Sequence, residues 1–286
     1  VSRAGFALAV HGGAGGVRAG DPAWAEVARA GLAEALAAGG AILAAGGPAL
    51  DAVVAAVAVL EDCPVFNAGR GSVLSADGEI EMDAAAMEGT ARRAGAVAGL
   101  RRIANPVRAA EAVLRDGRHV LLAGTGAERF ALACGLPVVD PDSLVTEARR
   151  AQWERARGRA PRARSGGTVG AVARDAAGHL AAATSTGGIS GKLAGRVSDS
   201  AQIGAGTWAD DATCAVSATG DGDLFIRAAF ASRVDALLRL ANASLEDACA
   251  RALSEVARLG GSGGCIAVAP TGPPALPFLT DSMPRG

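Results

Sequence analysis

Three threonines stand where an apolar strand pattern meets glycine: Thr168 in GGTVG, Thr186 in TSTGG and Thr219 in SATGDG. A threonine hydroxyl is a weak nucleophile and needs a base. Histidine is the usual one, and the chain has three, His11, His119 and His179. His119 opens an apolar stretch and His179 sits in an Ala-Gly-His turn, positions that suit structural histidines. No H-E-x-x-H pattern occurs, and the one G-x-S-x-G match, Gly260–Gly264, runs from helix pattern to strand pattern, the reverse of a nucleophile elbow. A threonine that begins a chain carries its own base, because its α-amino group titrates at about 7.7–8.0 and is roughly a tenth unprotonated near pH 7. Thr168 meets that condition only if the chain is cut before it. The preceding stretch holds seven arginines between Arg149 and Arg164 and ends in Gly166-Gly167. Such backbone freedom lets the Thr168 hydroxyl reach the preceding carbonyl.

Other candidate groups also sit among glycines. HGGAGG (11–16) offers unhindered amides that could point at an oxyanion; it lacks the lysine and Ser/Thr of a P-loop and the G-x-G-x-x-G spacing of a dinucleotide loop. FNAGRGS (66–72) places Asn67 among glycines and backbone carbonyls, which suit a hard monovalent cation or simply a turn. Arg196 and Asp199 lie three apart in GRVSDS. They read either as a surface pair of small worth or as a clamp for a zwitterion, Arg196 on an α-carboxylate and Asp199 on an α-ammonium.

Composition narrows the classes. With 286 residues, half of them apolar, the chain can bury a sizeable core. A net charge of −1 leaves no electrostatic footprint for nucleic acid or an anionic membrane. Lys192 is the single lysine among 28 Lys and Arg residues, which reads as codon bias. The five cysteines show no C-x-x-C spacing, so buried thiols in a reducing compartment are expected rather than a zinc site or disulfides. The longest strongly apolar run, Ala52–Leu60, is short of the roughly 20 residues of a membrane span, and Phe6–Val10 is short for a signal peptide. A cytoplasmic protein is expected, with neither nucleic acid nor membrane as partner.

The elements that must position these groups follow from caps and periodicity. GFALAV (5–10) reads as a strand; Asp21-Pro22 starts a helix to about Ala45, stopped by Gly46-Gly47-Pro48; a nearly all-apolar helix spans Ala49–Asp62. Strands are expected near Ile80 and Met82 and over AGAVAGL (94–100), a helix from Asn105-Pro106 to about Asp116, then HVLLAG as strand and TGAERFALACG as helix. Periodicity fails from Asp140 to Gly167, which suggests a frayed helix leading into a mobile linker. Beyond it TVGAVARD, HLAAATSTGG, TCAVSATGDGD and GGCIAVAP read as strands, with helices at about Ala228–Leu240 and Ser244–Leu259. Strands on both sides of the linker point to one mixed α/β layered domain over residues 1–286.

SGGTVGAVARDAAGHLAAATSTGGISGKLAGRVSDSAQIGAGTWADD, AVSATGDGD, HGGAGG, FNAGRGS and NPVRAAE, taken in order, resemble the plant-type L-asparaginases, or isoaspartyl peptidases, of the N-terminal nucleophile hydrolases. The resemblance runs from about residue 8 to the C-terminus. It implies a four-layer αββα sandwich, self-cleavage between Gly167 and Thr168 into an α subunit (1–167, with about 140–167 as linker) and a β subunit (168–286), and a dimer of such heterodimers. Thr168 would be the nucleophile, Thr186 would orient it, and Thr219 with the Gly220 amide would form the oxyanion hole. Arg196 and Asp199, helped by the Gly222 carbonyl, would hold the substrate's head, with Asn67 supporting the site. The carbonyls of Leu60, Glu61, Cys63, Phe66, Ala68 and Arg70 would bind a structural sodium ion, and no organic cofactor is implied. The sequence departs from the family pattern at Asp223, where glutamate is common, at TDSM near the end, and at Arg70, a position often apolar. The activity implied is hydrolysis of β-aspartyl dipeptides and asparagine through a β-aspartyl-threonine ester. The rivals are a glycosylasparaginase, which usually has Asp rather than Gly167 before its threonine, and a non-catalytic module binding an anion or nucleotide through the glycine loops.

Overall fold

A computed structural model of the chain describes residues 5–15, 21–157 and 167–286. Two sheets are flanked by helices. The larger sheet has the strand order β1 (Ala7–His11), β5 (Val169–Arg174), β6 (Leu180–Thr186), β2 (Met82–Glu88), β3 (Ala94–Leu100), β4 (Leu121–Ala123), antiparallel except for β3 beside β4. The smaller sheet is antiparallel and runs β7 (Thr207–Asp210), β8 (Cys214–Gly220), β9 (Gly263–Val268). Helices α1 (Pro22–Ala44), α2 (Ala49–Asp62), α3 (Pro106–Asp116) and α4 (Gly124–Ala133) lie against the larger sheet. Helices α6 (Gly222–Ala228), α7 (Phe230–Ala241) and α8 (Leu245–Arg258) pack on the smaller one.

Alternation along the strands divides the side chains between two interfaces. Val169, Ala171 and Ala173 of β5, with Ala181 and Ala183 of β6, join the core under α1 and α2. The intervening residues face the other sheet, where Val172 and Ala182 pack with Ala215 and Ile266. On β8, Cys214, Val216 and Ala218 turn outward to α6–α8. Period two therefore turns Thr168, Thr186 and Thr219 all toward the seam between the sheets. Along that seam alanines such as Ala9, Ala182, Ala209 and Ala215 alternate with larger side chains, Met87, Leu180, Ile266 and Met283.

Local chemistry explains most element ends. Asp21 caps α1, its carboxylate accepting from the Trp24 N–H at 3.1 Å, and Pro22 supplies the first turn. Gly117, at φ 73°, ends α3, and the Ser244 hydroxyl caps α8. Two expectations need correction. The helix expected at about Ala228–Leu240 is α7, and the short α6 before it was not expected; the two are separated at Ala229, which takes left-handed angles (φ 48°, ψ 47°), and Phe225 and Phe230 pack across the break with ring centroids 4.8 Å apart. Strand β7, only four residues long, was not expected at all. Within the segment expected to fray, Pro141–Leu144 form a 3-10 turn and Glu147–Ala156 form α5, while residues 158–166 of that linker lie outside the described residues. Among the described residues α1 is the one helix long and apolar enough to cross a membrane; here Leu32, Ala35 and Leu43 of that helix are buried in the core it shares with α2.

Candidate active site

Thr168 sits at the start of β5, directly across from Thr186 when the register Val169↔Ser185 is carried one step further. Its Oγ1 donates to Thr186 Oγ1 at 3.2 Å. The Thr186 hydroxyl in turn donates to the Gly167 carbonyl at 3.0 Å and accepts the Gly188 N–H at 3.0 Å. Asn67 reaches the same carbonyl oxygen from the opposite side of the sequence, its Nδ2 donating at 2.6 Å to Gly167 and at 2.8 Å to Gly188, while its Oδ1 accepts the Val73 N–H. The carbonyl that precedes the candidate nucleophile thus carries two side-chain donors, an arrangement that stabilises negative charge on that oxygen.

Thr168, Thr186, Arg196, Asp199, Gly220 and Gly222 line one cleft together with Gly167, Gly188, Ile189 and Ser198. Thr219, on β8, is fully buried and accepts the Ala14 N–H at 2.9 Å. Because that N–H occupies an acceptor site of the oxygen, the Thr219 hydrogen is left to donate elsewhere. Among the described residues of HGGAGG, 11–15, the amides do not converge on the cleft as a group. Gly12 N–H goes to Pro284 and Gly15 N–H to Ser282, both in the C-terminal tail that runs beside β1. The loop's second role is steric: a Cβ on Gly13, at φ 105°, would lie 2.9 Å from Gly167 Cα and from Thr168 N.

Arg196 and Asp199 both reach the cleft, and the ion pair of Arg196 is with Asp223, not Asp199. Asp199 is buried with Oδ2 unpartnered. Burial pushes its carboxyl up to about 7 against the pull of Arg196. A buried carboxyl with a free oxygen beside a guanidinium is an arrangement that accepts an ammonium and a carboxylate together.

The sequence reading missed the residues that hold this clamp in place. Glu81 Oε2 accepts the Gly195 N–H at 2.8 Å, the Glu81 carbonyl accepts Lys192 Nζ at 2.6 Å, and Asp83 Oδ2 accepts the Ser198 N–H at 2.7 Å. The single lysine is therefore a buried tie for the loop that carries Arg196 and Asp199. A second missed layer lies two residues along each strand from the threonines. His11 Nε2 meets Ser217 Oγ at 3.0 Å, Ser217 meets Thr184 at 2.7 Å, and Thr207 donates to Thr184 at 2.8 Å. Gly170 leaves the room for it, since a Cβ there would lie 1.9 Å from Ser217 Oγ and 2.5 Å from His11 Nε2. Burial holds the His11 imidazole down at about 3, so it is a neutral member of that layer. His179 is a surface residue paired to Asp211 at 2.9 Å.

The region of the expected ion site gathers carbonyls around two glycines. A Cβ on Gly69 would lie 2.5 Å from the Glu61 carbonyl, and one on Gly71 would lie 2.5 and 2.7 Å from those of Pro64 and Phe66. Leu60 and Glu61 belong to the last turn of α2, the negative end of the helix dipole. Among the described residues no group of three His, Cys, Asp or Glu side chains is arranged for a metal.

A family model described as asparaginase matches residues 4–286, and the chain belongs to that asparaginase family. It is 46% identical over 292 residues to the isoaspartyl peptidase of Salmonella typhimurium, covering 97% of this chain and 93% of that one. It is 45% identical over 294 residues to the isoaspartyl peptidase of Escherichia coli, covering 97% and 91%. The isoaspartyl peptidase/L-asparaginase of Rattus norvegicus is 43% identical over 284 residues, covering 97% and 84%.

Proposed function

We propose that this chain is an isoaspartyl peptidase/L-asparaginase whose nucleophile is Thr168, in the four-layer αββα sandwich of the N-terminal nucleophile hydrolases. The observation that carries the mechanism is the Gly167 carbonyl, held by Asn67 Nδ2 and Thr186 Oγ1 beside the Thr168 hydroxyl. In the first reaction Thr168 Oγ bonds to the Gly167 carbonyl carbon, the Gly167–Thr168 C–N bond breaks, and the Thr168 nitrogen leaves as an amine after taking up the proton that Oγ gives up. Water then hydrolyses the ester, giving an α subunit (1–167) and a β subunit (168–286). The freed amine is the base for the second reaction. It takes the Thr168 proton as Oγ attacks the side-chain carbonyl of a β-aspartyl peptide or asparagine, and it returns that proton to the leaving amine or ammonia. Thr219 and the Gly220 amide stabilise the oxyanion, Arg196 takes the α-carboxylate, and Asp199 with the Gly222 carbonyl takes the α-ammonium. Water then releases aspartate from the ester.

The carbonyls of Leu60, Glu61, Cys63, Phe66, Ala68 and Arg70 fit a monovalent cation, on the support of the glycine-lined carbonyl cluster and the α2 C-terminus. Such an ion would stiffen the loop bearing Asn67. The dimer of heterodimers rests on the family resemblance, and cytoplasmic placement on the five free cysteines.

Intact-mass measurement of purified protein, followed by aspartate release from β-Asp-Leu, asparagine and a glycosylated asparagine, tests this function. Two fragments meeting at Gly167–Thr168 and release from the first two substrates are expected. A chain that stays whole, with a Thr168→Ala variant of equal activity, would overturn it; release from the glycosylated substrate alone would assign a glycosylasparaginase instead.

A further inference from the structure

Arg196 is partnered before any substrate arrives. Asp223, in the first turn of α6, accepts from its Nη2 at 3.0 Å and its Nε at 3.4 Å. The Asp223 side chain is 60% exposed, whereas that of Arg196 is only 15% exposed and lies in the cleft wall. A Cβ on Gly222 would lie 2.4 Å from Asp199 Oδ1 and 3.0 Å from Arg196 Nη2, so Arg196, Asp199 and the start of α6 meet around a residue with no side chain. An amino-acid head brings one carboxylate and one ammonium. Arg196 and Asp199 already match both, which leaves Asp223 as a surplus anion in contact with the carboxylate's only guanidinium.

We propose that Asp223 sets the strength and selectivity of the head clamp, sharing Arg196 with the ligand's α-carboxylate so that the product aspartate, which has the same head as the substrate, is not retained. This rests on the roles given to Arg196 and Asp199 above. Two electrostatic effects act in the same direction. Asp223 diverts guanidinium donors and charge from the incoming carboxylate. It also disfavours ionisation of Asp199, adding to burial and opposing Arg196. The other charge that acts on Asp199 is Asp83, which is committed to the Gly99 and Ser198 amides; Lys192, which faces Asp83 and Arg196, has its Nζ held by the Glu81 carbonyl. After cleavage the Thr168 amine joins them. Asp223 is the one member of the group open to solvent and free of a backbone hydrogen bond to the clamp loop.

The test uses the processed full-length protein, with cleavage verified by mass. Asp223→Asn should lower both KM for β-Asp-Leu and the inhibition constant of aspartate by about two- to fivefold, the scale of a partly exposed ion pair. The acid limb of 1/KM should move to lower pH. At a pH well above 7, where Asp199 is ionised with or without Asp223, KM for a β-aspartyl peptide whose aspartyl α-carboxylate is amidated should not fall, so preference for the free carboxylate rises by the same factor. Asp223→Glu should retain the parent constants. A KM that rises or stays unchanged in Asp223→Asn, or a Glu variant that behaves as the Asn one does, would overturn the proposal. Arg196→Ala separates the two levels: if it leaves KM unchanged, the clamp itself is wrong, and if it raises KM while Asp223→Asn does not lower it, only the role of Asp223 fails.

Discussion

Asn67 donates its side-chain amide to the Gly167 carbonyl at 2.6 Å, across 100 residues of sequence. The contact puts a hydrogen-bond donor on the oxygen that must become negative if Thr168 attacks that carbonyl. Asn67→Asp keeps the shape and removes the donor. Conversion of the whole chain into two fragments should slow by about a hundredfold or more, the cost of losing one such donor. A time course of intact masses measures it, and cleavage at the parent rate would show that Thr186 suffices.

Gly13 packs against the same peptide bond. Gly13→Ala would place a methyl 2.9 Å from Gly167 Cα and Thr168 N, both backbone atoms, at a φ of 105° that side chains avoid. The variant should fold with its scissile peptide displaced and accumulate as the whole chain on a gel. Parent-rate cleavage would mean the loop yields instead.

Thr219 gives a prediction with two readouts. Thr219→Ala should lower kcat toward β-Asp-Leu by about a hundredfold with little change in KM. It also leaves the buried Ala14 N–H without its acceptor, at a cost of about 1–3 kcal/mol seen as a lower Tm. Thr219→Ser should restore both. A normal kcat with a reduced Tm would confine Thr219 to holding the glycine loop.

Asp199 sets activity and stability against each other. Its carboxyl, ordinarily near 3.8, is pushed up to about 7 by burial. The protonated form is favoured in the folded state, so its contribution is full below 3.8 and is lost as pH rises through about 7. An ammonium needs the ionised form, so 1/KM should fall on acidification through about 7, while Asp199 itself adds a stabilising contribution to the substrate-free protein over the same window. Asp199→Asn should flatten that part of the Tm profile and abolish binding. His11 acts over an overlapping window with the opposite sign: buried and uncharged, with its pKa lowered from 6.5 to about 3, it destabilises the fold as pH drops between those values, so the two contributions offset one another in the parent protein. The difference between the parent and Asp199→Asn Tm profiles isolates the Asp199 contribution, and a difference that stays constant between pH 3.8 and about 7 would refute its assignment.

The helices announced themselves through Asp21-Pro22, Asn105-Pro106 and Ser244, because first-turn prolines and capping side chains are local chemistry; Asn105 itself makes no capping bond, its amide going instead to Ala58 and Asp62. The threonines were legible for a similar reason: a hydroxyl at a strand end beside glycine is a local pattern. The tie from Glu81 and Asp83 to the Arg196 loop was not, because its partners lie 114 and 115 residues apart and each acid alone reads as a solvated charge. Nor did Ala229 signal the break between α6 and α7, since alanine rarely adopts left-handed angles and only the packing of Phe225 on Phe230 gives it a reason to. HGGAGG was read as a set of free amides because the C-terminal tail that takes two of them could not be located from the sequence.

Strand order carries a consequence for the life of the molecule. β5 and β6, which follow Thr168, are inserted between β1 and β2, which precede it. Cutting at Gly167–Thr168 therefore leaves two polypeptides woven through one sheet, with hydrogen-bonded neighbours from the other piece on both flanks. Before the cut, folding is a unimolecular search. Afterwards the same architecture can be regained only by two chains meeting, so the mature protein would be a memory of its precursor: held by the barrier to leaving, and unable to retrace its path once melted at low concentration.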